Sequence, residues 1–172
     1  GSLNKELFSG DLGPTHLRAL IGAGADVHAI DKNGHTPLHC LPALLNHELA
    51  KVLIEHGADV NARDQKGRTP LHKVMSGDAA QILLSNGSNL DALDNEGMRP
   101  LDALQTRYAE YDDHPILCND SAKLGIGDAM EIVSAATSQA ELHRELESFM
   151  PPRATDAQEH EEPRAGRRTR RM

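Results

Sequence analysis

Gly34-His35-Thr36-Pro37-Leu38-His39 recurs as Gly67-Arg68-Thr69-Pro70-Leu71-His72, 33 residues on. A third, weaker copy is Gly97-Met98-Arg99-Pro100-Leu101-Asp102, 30 residues further. A second landmark keeps step. Gly24-Ala25-Asp26-Val27, Gly57-Ala58-Asp59-Val60 and Gly87-Ser88-Asn89-Leu90 follow each other at the same 33 and 30. Two independent landmarks sharing one period define a repeat, and a period of this size means stacked supersecondary units.

Each landmark has a local mechanism. Thr36 and Thr69 suit the N-cap of a helix, where the hydroxyl accepts a backbone N–H. Pro37 and Pro70 then fall at the first helical position, where a missing N–H is harmless. Gly57 and Gly87 follow apolar runs and suit the left-handed residue that closes a helix. Leu49, Val52 and Leu53 form one apolar stripe before the first of these, and Ile82, Leu83 and Leu84 do the same before the second. Asp64-Gln65-Lys66-Gly67 and Asp94-Asn95-Glu96-Gly97 are turn chemistry joining one unit to the next. The unit reads as helix, turn, helix, then an extended loop with a tight turn.

The two T-P-L-H tetrapeptides, the G-A-D-V segments and the 33-residue step resemble the ankyrin repeat, over roughly residues 6–104. The resemblance implies an all-α ankyrin-repeat solenoid of stacked helix-turn-helix units with projecting hairpin loops, capped by C-terminal helices. It divides the chain as follows. Residues 1–2 have the look of a cloning scar, 3–33 an N-terminal capping repeat, 34–66 a full repeat and 67–96 a shortened one. Residues 97–150 form a degenerate repeat with an irregular insertion and capping helices, and 151–172 a disordered Arg-rich tail.

The departures carry expectations of their own. The capping unit places helices at Glu6–Ser9 and near Thr15–Ile21. Pro42 shortens or kinks the first helix of the Gly34 unit. The Gly67 unit lacks three residues around Ser76-Gly77-Asp78, so its first helix is short. An irregular stretch over Asp112–Gly127 delays the next helix. Asp128-x-x-Glu131 and Ser138-x-x-Glu141 then read as capping boxes opening two further helices. The second carries Leu142, Leu146, Phe149 and Met150 on one side, to cover the end of the stack.

Composition narrows the function. The chain has 172 residues, 38% apolar and 26% charged, with no Trp, two Tyr and two Phe. Such a core is aliphatic, and few π-faces argue against stacking on single-stranded nucleic acid. The net charge is −8. Residues 1–150 hold 12 basic against 22 acidic side chains, and residues 151–172 hold 6 against 4. The body repels phosphate and anionic membranes. Nucleic acid or membrane could be met only through residues 163–172, which hold five Arg and no acid; a solubilising end explains them more simply. Two cysteines, Cys40 and Cys118, make no disulfide framework and suit a reducing compartment. No signal peptide is read. An intracellular setting follows, cytoplasmic or nuclear, or a host cytosol for a microbial effector.

Catalytic chemistry is thin. His39 and His72 belong to T-P-L-H, where the resemblance implies hydrogen bonds between loops. His114-x-x-x-Cys118 has ligand-like spacing, yet Pro115 intervenes and no second pair completes four ligands. Cys40 reads as a packed thiol on a helix facing the next unit. Asp112-Asp113 beside His114 reads as a solvated acidic loop, and Gly125-Ile126-Gly127 is too short to cradle a phosphate. No catalytic residue, metal, cofactor or small-molecule substrate is expected. Leu44-Leu45 reads as packed against the shortened neighbour. The resemblance also makes Asn61, in its D-V-N-A hairpin with Leu53 eight residues before, similar to sites of asparaginyl hydroxylation.

What remains is surface. The resemblance places partner-facing positions at Ile30, Lys32, Asn33 and His35, at Arg63, Gln65, Lys66 and Arg68, and at Leu93, Asn95, Glu96 and Met98. Lys73 extends the middle set. The row implies a non-enzymatic module that binds a protein partner, one with acidic groups opposite Arg63, Lys66 and Arg68. Two rivals stand beside it: specificity carried by residues 112–150, and a metal or catalytic site at His114 and Cys118.

Overall fold

The computed structural model describes residues 2–9, 12–40, 46–113 and 120–149. Its helices are α1 (Ser2–Glu6), α2 (Pro14–Gly22), α3 (His47–Glu55), α4 (Pro70–Lys73), α5 (Gly77–Ser85), α6 (Pro100–Asp113) and α7 (Asp120–Phe149), with one 3₁₀ turn at Pro37–His39. The helices α2, α3, α5 and α7 pack side by side in that order, and the 3₁₀ turn, α4 and α6 stack as a second row. The two rows are the two layers of a repeat stack.

The core lies between the rows. Leu17 and Leu20 of α2, Leu49, Val52 and Leu53 of α3, Leu83 of α5 and Val133 of α7 are buried, as are Leu38, Leu71 and Leu104 of the other row. Each such leucine contributes about 1.5–3 kcal/mol of burial. The expected α3 stripe is buried throughout; in α5 only Leu83 is, while Ile82 and Leu84 are half-buried at its flanks.

Local signals set the helix ends. Asn46 Oδ1 accepts the Glu48 N–H at 3.0 Å at the start of α3, and Ser76 Oγ accepts the Ala79 N–H at 3.2 Å at the start of α5. At the other ends Gly57 and Gly87 take φ of +89° and +84°. The chain then folds back so that Ala58 N–H meets Leu53 O at 3.0 Å and Ser88 N–H meets Leu83 O at 3.1 Å, satisfying carbonyls the helix would leave bare.

Several expectations are corrected. The first capping helix is Ser2–Glu6 rather than Glu6–Ser9, and α2 opens one residue early because Pro14 takes its first position. Cys40 is not helical: the Pro37–His39 turn stops just before it. Pro42 has no N–H for the Leu38 carbonyl, which removes the bond that would extend the turn. Residues 41–45, with Leu44 and Leu45, lie outside the described residues.

The region after Pro100 departs most. Asp112 and Asp113 end α6 rather than forming a loop, and residues 120–127 are already helical, so these parts of the expected irregular stretch are corrected, while residues 114–119 lie outside the described residues. Asp128 and Ser138 open no helices; both lie inside the single 30-residue α7. Gly125 stands in this helix for a packing reason. A Cβ there would lie 2.3 Å from the Met75 carbonyl oxygen, so only glycine lets α7 approach the α4–α5 connection this closely. The inward face, Ile126, Ala129 and Val133, covers the stack end, whereas Leu142 and Leu146 are 59% and 61% exposed and cover nothing.

Candidate functional site

Three hairpins project from the stack, each built around an aspartate. Asp31, Asp64 and Asp94 donate their N–H groups to the carbonyls of His35, Arg68 and Met98 at 3.0 Å. Each then uses Oδ1 to accept two backbone N–H groups of its own turn. For Asp64 these come from Lys66 and Arg68, both at 2.9 Å. A carboxylate so placed replaces the backbone partners that a tight turn cannot provide.

Neighbouring tips are tied to one another. Gln65 donates its N–H to Asn33 O at 3.1 Å and its side-chain Nε2 to Lys32 O at 3.0 Å. Asn95 repeats the rung one unit on, with N–H to Lys66 O at 2.9 Å and Nδ2 to Gln65 O at 3.0 Å. Gly67 makes this approach feasible. Its φ is +74°, and a Cβ there would fall 2.5 Å from Asn95 Oδ1.

The T-P-L-H histidines anchor the hairpins from below. His39 Nε2 donates to Arg68 O at 3.0 Å, and His72 Nε2 to Met98 O at 3.1 Å. With Nε2 donating, Nδ1 must accept. It takes the Thr36 N–H at 3.2 Å in one unit and the Thr69 N–H at 3.1 Å in the other. Both rings are fully buried. Burial pushes the His39 pKa down to about 4 and lowers that of His72 as well. Burial also pushes the Cys40 thiol up to about 11, which keeps it protonated near neutrality and a poor nucleophile.

Beneath the first two tips lies a chain of ionisable groups. His35 Nδ1 faces Asp31 Oδ2 at 3.1 Å, and Lys73 Nζ lies 3.2 Å from His35 Nε2. Arg68 grips Asp64 Oδ2 through Nε at 3.0 Å and Nη2 at 2.8 Å. Burial raises the Asp31 and Asp64 pKa values, but hydrogen bonds outweigh it. His35 and Asn33 hold Asp31 below its ordinary value, and Arg68 and Lys66 do the same for Asp64. Beside them an open cavity of about 290 Å³ is lined by both signs of charge, Lys66, Arg68 and Arg107 together with Asp94, Glu96 and Glu110.

The residues expected to face a partner therefore divide. Ile30 and Leu93 are 67% and 50% exposed, and Lys32, Asn33, Lys66 and Glu96 are exposed at the tips. Gln65 and Asn95 are exposed but serve as rungs. Arg63 donates Nη2 to the Leu93 carbonyl, and Arg68 is held by Asp64, so the middle tip is less free for an acidic partner than its sequence implied. His35, Lys73 and Met98 are half-buried. Asn61 is held between loops, donating to Gly87 O at 3.0 Å and accepting Asn89 N–H at 2.8 Å. His114, Cys118 and residues 163–172 lie outside the described residues. Among the described residues no group of three His, Cys, Asp or Glu is arranged to hold a metal ion, and no helix is long and apolar enough to cross a membrane.

Sequence reasoning missed Arg107. The short α4 leaves carbonyls bare at its end, and Arg107 reaches back from α6 to take them. It donates to His72 O at 2.6 Å, Lys73 O at 3.1 Å and Val74 O at 3.3 Å.

Two rows of short helices with tied, projecting hairpins define a helical repeat solenoid. The chain belongs to the ankyrin-repeat family, whose model, described as ankyrin repeats in three copies, matches residues 9–94. Proteins of that family generally mediate protein–protein interaction and are typically non-enzymatic. A search of curated proteins found no match.

Proposed function

We propose that this chain is a protein-binding module that docks a partner across its hairpin tips and the groove beneath them. The observation that carries this reading is the pair Ile30 and Leu93. Both are large apolar side chains left in water at equivalent tip positions, on either side of Arg63. The tips are held by hydrogen-bonded rungs, so a partner would not have to order them on binding. Apolar anchors on a rigid row, ringed by Lys32, Lys66 and Glu96, have the make-up of a binding hot spot with a polar rim. Replacing Ile30 and Leu93 together by Glu tests this. Capture of the partner is lost while the thermal midpoint stays near that of the native chain, since neither side chain supports the core. Undiminished capture contradicts the reading.

A second reading rests on Leu142 and Leu146, exposed on the outward face of α7 beyond the last buried contact of that helix. There specificity would lie in the C-terminal helix, with the repeats as support. Leu142→Gln with Leu146→Gln would then abolish capture, and the tip variant would leave it intact.

A further inference from the structure

We propose that His35 is a pH-operated latch between the first two hairpins: neutral, it holds Lys73; protonated, it releases Lys73 and pairs with the aspartates of both hairpins. The latch goes beyond the docking reading. It works without a partner, on the hairpin that carries Ile30.

Place along the hairpins singles His35 out. His35, Arg68 and Met98 each stand four residues after an aspartate, Asp31, Asp64 or Asp94. Arg68 grips its aspartate with a permanent charge, and Met98 has no charge to offer. His35 makes the same contact to Asp31, at 3.1 Å, with a group that titrates. Its other nitrogen looks to the next unit, where Lys73 Nζ lies at 3.2 Å and Asp64 Oδ2 at 3.4 Å.

These two neighbours make opposite demands. An ammonium only donates, so the Lys73 bond needs a bare Nε2, with the ring hydrogen on Nδ1 facing Asp31. Protonation puts a hydrogen on Nε2 as well. N–H then confronts N–H at Lys73 and two positive charges meet, whereas Asp64 becomes an ion-pair partner. Lys73 is the group that yields. Asp31 Oδ1 is fixed by the N–H groups of Asn33 and His35, both at 2.8 Å, and Asp64 Oδ1 by those of Lys66 and Arg68 at 2.9 Å. Lys73 ends α4 on a flexible stem. The burial that lowers its pKa is relieved when its ammonium turns toward water.

The surrounding groups set the balance. His39, with its ring 6.0 Å away, stays neutral down to about pH 4, and Cys40 stays a neutral thiol. Arg107 of α6 repels Lys73 and favours its departure. Arg68 opposes the incoming proton, since it shares Asp64. Once Lys73 has turned away, the imidazolium meets two fixed carboxylates and one fixed cation.

NMR of the full chain, titrated from about pH 8 to about pH 5, the span in which histidine changes charge, tests the latch. Above the His35 midpoint the ring is the Nδ1–H tautomer, and its protons show an Overhauser effect to the Lys73 side-chain end. Below the midpoint that effect is lost. Lys73→Met raises the His35 midpoint by about one pH unit, roughly a tenfold gain in proton affinity. Lys51→Met, on the exposed side of α3, leaves it unchanged. A neutral ring with its hydrogen on Nε2 overturns the proposal. So does a Lys73 contact that persists below the midpoint, or an unmoved midpoint in Lys73→Met. The first two readouts come from the native chain and do not depend on how the variants fold. No partner is present in any of them, so their failure leaves the docking row untouched.

Discussion

The imidazole of His72 reaches the carbonyl oxygen of Met98, 26 residues away, at 3.1 Å. One buried side chain thereby joins the start of a helix to the foot of the next hairpin, and His39 makes the same link to Arg68 one unit earlier. The ring donates at Nε2 to the next hairpin and accepts at Nδ1 from the threonine N–H of its own repeat, an acceptor role that only the neutral form can fill. Stability is therefore coupled to pH through the buried rings and their threonine caps.

That coupling has a definite sign. Folded His39 titrates at about 4 and folded His72 also below 6.5, the ordinary value for the unfolded chain. Between these limits the unfolded state binds more protons than the fold, so stability falls as pH falls from about 6.5 to about 4. Asp31 and Asp64 are lowered from an ordinary value of 3.8, so their contribution is lost only below that and does not produce this slope. Urea midpoints measured across the window decline steadily. A flat profile above about pH 4.5 contradicts the buried, neutral histidines.

Arg107 replaces a turn of helix that the shortened repeat lacks. Arg107→Met leaves the carbonyls of His72, Lys73 and Val74 without their cationic donor. The loss is about 2–3 kcal/mol, the scale of charge-assisted bonds removed from part-buried carbonyls. Arg107→Lys recovers only a part, since an ammonium lacks the planar fork that spans three acceptors. Chemical denaturation of the two variants measures both.

Gly67 and Gly97 separate two demands on one residue. Both have positive φ, +74° and +78°, but a Cβ at Gly67 meets Asn95 whereas one at Gly97 meets nothing within 4 Å. Gly97→Ala therefore carries the backbone strain alone, roughly 1–2 kcal/mol. Gly67→Ala adds the broken rung and loses more. Equal losses in thermal denaturation would show that the tips do not press on each other.

Arg68 and Lys66 differ in the same way. Arg68→Glu sets a second carboxylate against Asp64, whose side chain is 1% exposed, and destabilises the chain by on the order of 2–4 kcal/mol. Lys66→Glu, at an exposed tip, changes stability by less than about 0.5 kcal/mol. Similar midpoints for the two variants would mean that the Arg68–Asp64 pair does not hold the hairpin.

The period of the Thr-Pro-Leu-His and Gly-Ala-Asp-Val segments made the stack legible, because capping, proline placement and glycine closure are local and repeat in step. The hairpin tips were legible as positions but not as side-chain states. Whether Arg63 reaches outward depends on Leu93 O in the next hairpin, a partner that no spacing within one hairpin reveals, whereas Asp64, four residues before Arg68 in the same hairpin, could have been read as the group that holds it. The aspartates at 31, 64 and 94 follow the same 33 and 30 spacing and could have been read as the hairpin scaffold. Beyond Pro100 the period is lost and local signals mislead. Gly125 looks like a helix breaker, yet the α7 backbone needs it to pass the Met75 carbonyl. Asp128 and Ser138 look like caps because a capping box is a short pattern that also occurs inside helices.

The central claim is that a partner docks on the row of tips. Photo-crosslinking residues placed in the full chain at Ile30, at Leu93 and, separately, at Leu142 test it most directly. The account predicts that the first two positions label the same protein and that the third labels nothing. Labelling from Leu142 alone would contradict it.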